Sequence, residues 1–500
     1  MTSMLTGYFV VLIAVLVAVL VKRRRDELRY FKKLGIPGPE PNFFWGHYDK
    51  FQENHIHWLE KWAEDYGDFY GIFLGTKPLL VSTDVEFAQY ALVMNFSNFV
   101  NRAPLLVLQM SNPNIEGFLS LVSGEKWKKL RSLMTPAFTT RNMKEMLPLI
   151  LRGAEDFIVN LKKQRGPFDI VPLVTSLSID NMGRTVFGID VGAQAQKENS
   201  SIRDTITKVA ESSMTGSLDL LVNSFSTLGY GFKGVFFYLS KLGIIKRPDD
   251  DLCAMLKNII GSRKRAEKSN NLLQRLIDAS EDNSTSTTPA LSEGELVGNS
   301  VGSYFVGVDT TSILLSYLFF CLGQNQDVQD RLREEINRYA RDELEYYTVS
   351  KLQYLDSVIN EVLRLYPPAT GFNTRQAAEE FKFRGTTFPA GLNILFAVSS
   401  IQRDERHWDE PLEFRPERFE ARTNNRLAFQ PFGDGPRNCV GMRLALMSTK
   451  FVVARALQKF RFRSYGNVER IPLTVLSKPG RVLVSVEPIN DDDLGAYRAV

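Results

Sequence analysis

Pro431–Gly441 reads PFGDGPRNCVG. One cysteine, three glycines, two prolines and one arginine share this short segment, which runs straight into an apolar stretch with helical spacing. Glycines at 433, 435 and 441 open backbone conformations closed to other residues and leave room for something flat and bulky. Pro436 stiffens the loop. Arg437 sets a permanent positive charge two residues from Cys439, which favours a thiolate over a thiol and can bind an anionic group. Leu444, Met447, Phe451 and Ala454 fall on one face of the helix that follows. Cys439 therefore precedes a helix N-terminus, whose dipole and free N–H groups stabilise a thiolate further. Such a thiolate suits a catalytic nucleophile or an axial ligand to haem iron. A nucleophile needs a base, and the nearest histidine in sequence, His407, gives weak support. A glycine-rich turn holding a passive cysteine satisfies the same residues.

The totals bound the answer. The chain has 500 residues, 44% of them hydrophobic, enough for one large core or for two or three average domains. A net charge of +4 is too weak a bias to argue for nucleic acid. The three cysteines, Cys253, Cys321 and Cys439, are odd in number and far apart. That opposes a disulfide framework and a zinc or iron–sulfur site, and fits free thiols in a cytosolic environment. Three of the four histidines are His47, His55 and His57, and neither HExxH nor CxxCH occurs.

Leu5–Val21, LTGYFVVLIAVLVAVLV, carries no charge and spans roughly 25 Å as a helix, near the lower limit for a bilayer core. Lys22, Arg23, Arg24 and Arg25 follow at once. A cleaved signal peptide has its charge before the apolar run and small residues after it, the reverse of this order. The expectation is a signal-anchor helix with its basic cluster over residues 1–25. Its N-terminus faces the lumen and the cluster stays cytosolic. A proline-rich hinge, residues 26–41 with IPGPEP at its end, joins it to a single cytosolic body over residues 42–500. No second apolar run is long enough to span convincingly.

FYGIFLG (Phe69–Gly75) and PLLVST (Pro78–Thr83) predict paired strands. From about Val85 to Leu322 the pattern is mostly helical, and short strands close the chain near RVLVSVEPI (Arg481–Ile489). Ser217–Ile245, rich in Leu, Phe and Gly, suits either a second surface that dips into the membrane or buried core. SEDNSTSTTPA (Ser280–Ala290) predicts an exposed loop. The expected class is mainly α with small β-sheets.

Phe432, Gly435, Arg437, Cys439 and Gly441 match FxxGxRxCxG, which resembles the haem-binding signature of the cytochrome P450 superfamily. Other motifs follow in the family's order. NEVLRLYPP (Asn360–Pro368) places Glu361 and Arg364 three apart on one helix face, where an ordinary surface ion pair would also sit. The resemblance makes this pair buried and adds Arg418 of the PERF segment, Pro416–Phe419, as a structural triad. SYFVGVDTTSILLSYLFF (Ser303–Phe320) is an apolar helix interrupted by Gly307, Asp309, Thr310 and Thr311. These are weak helix formers, and a buried carboxylate is costly unless paired. Together they suggest a functional distortion; the plainer alternative is a packing notch beside a solvated acid. The segment is similar to the family's oxygen-activation motif, with Val306 in place of the usual alanine. The resemblance gives Thr310 the hydrogen bond beside bound dioxygen and Asp309 the proton relay, and it makes Val306 narrow the pocket.

WKKLR (Trp127–Arg131) resembles the family's WxxxR helix. It implies that Trp127, Arg131, Arg437 and, one residue off the commonest spacing, Arg375 reach the haem propionates, with Phe432 and Gly433 in the cofactor-binding loop. Lys126, Lys128 and Lys129 on this helix are either a solvated face or a docking site for an acidic electron donor. By position in the family, Phe118, Leu119, Val306, Ala369, Thr370, Leu473 and Val475 line the substrate pocket.

What the resemblance implies is a haem-thiolate monooxygenase holding haem b, its cytochrome P450 fold on an N-terminal transmembrane anchor in the endoplasmic reticulum membrane. Its substrate is an apolar small molecule, xenobiotic, steroid or fatty-acid-like, entering from the lipid bilayer. No flavin or nucleotide-binding pattern is present, so electrons come from an NADPH-dependent flavoprotein reductase, sometimes helped by cytochrome b5. The layout is most similar to xenobiotic-metabolising members of vertebrates and invertebrates. Two rivals are a reductase-independent haem-thiolate isomerase or dehydratase and a non-enzymatic haem-binding membrane protein. The retained Asp309 and Thr310 argue against both.

Overall fold

The computed structural model describes residues 2–104, 113–115, 117–195, 226–247, 250–265, 268, 271–281, 290–340, 344–420, 426–472 and 476–489. Leu473 and Val475, and most of the Ser280–Ala290 segment, lie outside these. Among the described residues, helices dominate and the strands are short. The helices that position the site are α1 (Thr2–Leu28), α2 (Tyr48–Tyr66), α3 (Gly124–Met134), α4 (Thr140–Lys162), α5 (Val171–Met182), α6 (Ser226–Lys241), α7 (Glu293–Gln324), α8 (Gln353–Leu365) and α9 (Met442–Lys459).

α1 runs through the apolar stretch and the basic cluster without a break, and its apolar side chains from Tyr8 to Leu20 are exposed. Among the described residues a second helix, α7, is also long and apolar enough to cross a membrane, contrary to the sequence expectation. Two-thirds of its apolar window is buried inside the protein, so it is a core helix. It begins at a capping box, in which the Ser292 hydroxyl accepts from Glu295 N–H (3.1 Å) and the Glu295 carboxylate from Ser292 N–H (2.8 Å). α7 packs against α5 and is surrounded by the largest hydrophobic core, which also takes in α4, α8 and α9.

The strands are β1 (Phe69–Leu74), β2 (Lys77–Ser82), β3 (Phe168–Asp169), β4 (Thr374–Gln376), β5 (Phe381–Phe383), β6 (Thr386–Phe388), β7 (Asn393–Phe396), β8 (Phe460–Tyr465), β9 (Arg470–Pro472), β10 (Ser477–Pro479) and β11 (Leu483–Pro488). β1 and β2 form the expected hairpin, with Phe69 opposite Ser82 and Leu74 opposite Lys77. β7 joins β2 in parallel and β4 joins β7 antiparallel, giving the order β1-β2-β7-β4. The remaining sheets are β3-β11-β8 and the pairs β5-β6 and β9-β10.

Two buried histidines tie this sheet region together. His47 Nδ1 accepts from Phe73 N–H (3.0 Å), so Nε2 carries the proton and donates to Pro39 O (3.2 Å), holding the proline segment on β1. His55 Nε2 lies 2.6 Å from Thr370 Oγ1. Burial lowers both pKa values to about 4. The unfolded chain therefore takes up protons first as pH falls. The stabilisation is complete above about pH 6.5 and lost on the way down to about 4. We expect stability to fall by about 2 kcal/mol per histidine between about pH 7 and pH 5, read from urea midpoints. His55→Phe should roughly halve that dependence, leaving the part due to His47, and equal midpoints at both pH values in the parent would contradict it.

Candidate functional site

The Cys439 loop is built by its glycines, but not all in one way. Gly433 and Gly435 have φ of 69° and 68°, as a left-handed turn requires. At Gly435 there is also no room, because a Cβ would stand 1.8 Å from Leu92 O. Gly441 has an ordinary φ of −89° and caps α9. Around it is open space at the cavity wall, so its role is room rather than conformation. Asp434 accepts from Gly435 N–H (2.7 Å), and Cys439 N–H donates to Phe432 O (2.9 Å), closing the loop. Gly435→Ala should cost at least about 2 kcal/mol through the left-handed backbone and the clash with Leu92. A melting temperature equal to the parent's would refute that.

Cys439 presents its thiol to a deep cavity between α7 and the loop; Cys253 and Cys321 are buried. Cys439 has exposed surface and lines that cavity, and the protein packed around the thiol desolvates it and raises its pKa. Hydrogen bonds from the Gly441 and Met442 backbone oppose the rise, as do the charges of Arg131 and Arg102. The sequence shows the charge and the helix end that favour the thiolate; the fold adds the burial that opposes them and two further cations, Arg131 and Arg102.

Positive charge gathers at one edge of the cavity. Arg437 Nη2 donates to Val122 O (2.6 Å) and its guanidinium lies 4.6 Å from the centre of the Trp127 ring, while Nε and Nη1 have no partner. Arg102 donates to Phe372 O, and its Nε is also unpartnered. Desolvation, with mutual repulsion, lowers the pKa of Arg437 to about 9; desolvation lowers that of Arg102 to about 10. Arg375, on β4, is fully buried beside them but does not line the cavity. It donates to Thr374 O (2.7 Å), and burial and the neighbouring Arg102 and Arg437 push its pKa well down. Arg131 donates to Asn438 O (2.6 Å) and Oδ1 (2.7 Å), so its terminal nitrogens clamp the cysteine loop. Buried cations without an anion are costly. The arrangement fits a cofactor that brings its own carboxylates to the arginines and accepts a thiolate from Cys439. Arg102 escaped the sequence reading because nothing in FVNRAP separates it from any other arginine.

On the opposite wall, α7 continues through Gly307–Thr311 without interruption, so the expected interruption is absent. Gly307 is a packing notch, since a Cβ would stand 2.4 Å from the Met182 methyl group. Thr310 lines the cavity and donates to Val306 O (2.8 Å). Asp309, about 100° around the helix, does not line it. Its Oδ2 is buried without a partner, and desolvation, partly offset by Lys478, raises its pKa to about 6. Phe118, Leu119, Val306, Ala369, Phe432 and Gly433 line the cavity, as does Leu476. Thr370 does not, because its hydroxyl turns to His55.

Behind the loop, Glu361 and Arg364 are fully buried and joined twice, Nε to Oε2 (2.7 Å) and Nη2 to Oε1 (2.8 Å). Arg418 Nε reaches Glu361 Oε1 at 3.2 Å. On α3, Lys126 pairs with Glu295 and Lys128 with Glu125, each at 2.6 Å, so this face presents less free charge than its sequence suggests.

Known proteins are similar to this chain over most of its length. The cytochrome P450 family model matches residues 36–486. Cytochrome P450 3A29 of Sus scrofa is 32% identical over 90% of this chain and 89% of its own length. Cytochrome P450 3A6 of Oryctolagus cuniculus is 31% identical over 87% of each chain. Cytochrome P450 3A5 of Homo sapiens is 30% identical over 89% of this chain and 88% of its own. A helix-rich body, a lone cysteine facing a cavity rimmed by unpaired arginines, and a family match across nearly the whole chain lead to one conclusion: the chain belongs to the cytochrome P450 family and is a haem-dependent monooxygenase, an oxidoreductase.

Proposed function

We propose that the protein inserts one atom of O2 into an apolar small molecule of xenobiotic, steroid or fatty-acid-like kind, using haem b ligated by Cys439. The observation that carries this reading is the thiol of Cys439 facing an apolar cavity whose edge holds arginine nitrogens with no anionic partner. Cys439 would hold the haem iron as a thiolate, and the bound haem would supply the oxygen-activation chemistry. The protein supplies the rest. Arg437, Arg102 and Trp127 hold the propionate edge, with Arg375 behind them, and Arg131 keeps the cysteine loop in place through Asn438. The Thr310 hydroxyl, with its proton committed to Val306 O, offers its lone pairs to the cavity. Asp309 changes protonation state near neutral pH and relays protons toward Thr310 from outside the cavity. Phe118, Leu119, Val306 and Ala369 exclude water and orient the substrate, and the bulk of Val306 restricts where it is attacked.

Electrons come from a separate NADPH-dependent flavoprotein reductase, with cytochrome b5 as an accessory donor, docking near α3. α1 anchors the protein once in the endoplasmic reticulum membrane with the body in the cytosol. Phe232, Val235 and Tyr238 on α6, with Leu242 and Ile244 beyond it, are exposed and form a second apolar surface suited to the bilayer. The test is turnover of apolar substrates with reductase and NADPH. Product should require both, and Thr310→Val should lower product formed per NADPH consumed by about tenfold or more. Product without NADPH would favour an isomerase or dehydratase instead.

A further inference from the structure

Of the four consecutive cations Lys22–Arg25, three face solvent and one does not. Arg24 is 8% exposed. Its Nε donates to Phe43 O (2.7 Å), and its Nη2 donates to Phe44 O (3.2 Å) and Gly75 O (3.0 Å). The loop that receives it is itself fixed. Asn42 Oδ1 accepts from Phe44 N–H (2.8 Å) and Trp45 N–H (3.3 Å), and Asn42 and Gly46 exchange backbone hydrogen bonds at 2.9 and 3.0 Å. Gly75 N–H donates to Trp45 O (3.0 Å), joining this loop to the β1–β2 turn. A buried guanidinium needs polar partners, and here three carbonyls meet Nε and Nη2, while Nη1, without a hydrogen bond, lies 3.8 Å from the Glu27 carboxylate on the same helix. α1 is thus bolted to the body at Arg24, independently of the proline segment.

The bolt sets a height. Arg24 lies three residues past Val21, the last residue of the uncharged run, or about 4.5 Å along the helix axis. The Phe43 and Phe44 carbonyls are within one arginine side chain of that level. Phe44 is 51% exposed, its ring edge-on to Phe43 (5.1 Å between ring centres) and 5.6 Å from Trp45. Exposed Lys22, Arg23 and Arg25 stand at the same level. Aromatic rings and cations at a helix exit suit the interfacial layer of a bilayer containing anionic lipid.

We propose that Phe43–Trp45 is a bilayer-contacting surface, with Phe44 in the interfacial layer, and that Arg24 holds it at that depth and so fixes the tilt of the body over the membrane. This rests on the reading of α1 as the anchor and is independent of the catalytic reading.

The experiment is depth measurement by spin label on the full-length, haem-loaded protein in phosphatidylcholine–phosphatidylserine bilayers. Nitroxides are placed through Phe44→Cys, through Leu16→Cys as the deep reference and through Leu412→Cys, a 74% exposed position, as the aqueous one. Collision with lipid-soluble oxygen is compared with collision with a water-soluble nickel chelate. The ratio at position 44 should be several-fold above that at 412. Arg24→Ala should lower it to the aqueous reference while position 16 stays deep. Arg24→Lys, which keeps the charge but not the fork, should lower it partway and decides the matter if the alanine variant does not fold. A label at 44 that is as wet as one at 412, or one that neither Arg24 variant changes, overturns the proposal. So does a ratio at 44 that depends on protein-to-lipid ratio, which would indicate a second copy as the partner. A wet label at position 16 would remove the anchor reading and this proposal together, and leave the catalytic reading standing.

Discussion

Arg364→Ala is expected to yield no stably folded protein. The Arg364 guanidinium gives two hydrogen bonds to Glu361 and others to Gln402 O (2.8 Å), Pro411 O (2.8 Å) and Glu413 O (3.2 Å). It therefore joins α8 to the segment that leads into the cysteine loop. Truncation leaves the Glu361 carboxylate in a fully buried site, held only by Arg418 and by Arg415 N–H (2.9 Å). Breaking a buried pair costs about 3–5 kcal/mol. Each stranded carbonyl adds roughly 1 kcal/mol or more. The sum rivals the whole stability of a typical domain, about 5–15 kcal/mol. Soluble yield and thermal melting check this. A melting temperature within about 2 °C of the parent's would show that the pair carries little of the fold. Glu361→Gln should be milder, since an amide oxygen still accepts from Arg364.

Cys439→Ala should do the opposite, abolishing turnover while leaving the fold intact. Cys439 closes the loop through its backbone N–H, to Phe432 O, while its sulfur, at the cavity wall, takes hydrogen bonds from the Gly441 and Met442 backbone. Alanine keeps the first bond and loses only the weak ones to sulfur. Product formation with reductase and NADPH should fall to the detection limit, while the circular dichroism melt of the haem-free protein stays within about 2 °C of the parent's. Residual turnover in the alanine variant would mean that another residue ligates iron. A collapsed melt would mean that the thiol is structural, the passive-cysteine reading that its sequence also permits.

These two residues were legible for the same reason. Cys439 with its glycines, and Glu361 with Arg364, are each a compact motif whose spacing carries the geometry. What could not be read depends on contacts between distant segments or on side-chain direction. Arg102 and Arg437 meet across 335 residues of chain, and no local pattern announces that pairing. Thr370 was expected in the pocket, but its hydroxyl is taken by His55 from the far side. Asp309 and Thr310 are neighbours in sequence, yet one helical step turns the carboxylate away from the cavity that the hydroxyl lines. Arg24 looked like one of four equal charges until the fold supplied three carbonyls to receive it. The glycines of the cysteine loop were read as a set, but steric demand separates them. Gly435 is forced by Leu92, while Gly441 is small because of the space it leaves.

The most direct test of the central claim is the carbon monoxide difference spectrum of the reduced full-length protein. Thiolate ligation by Cys439 predicts a strongly red-shifted Soret band that disappears in Cys439→Ala. A haem spectrum without that band in the parent, or no haem in well-folded protein, would contradict the account.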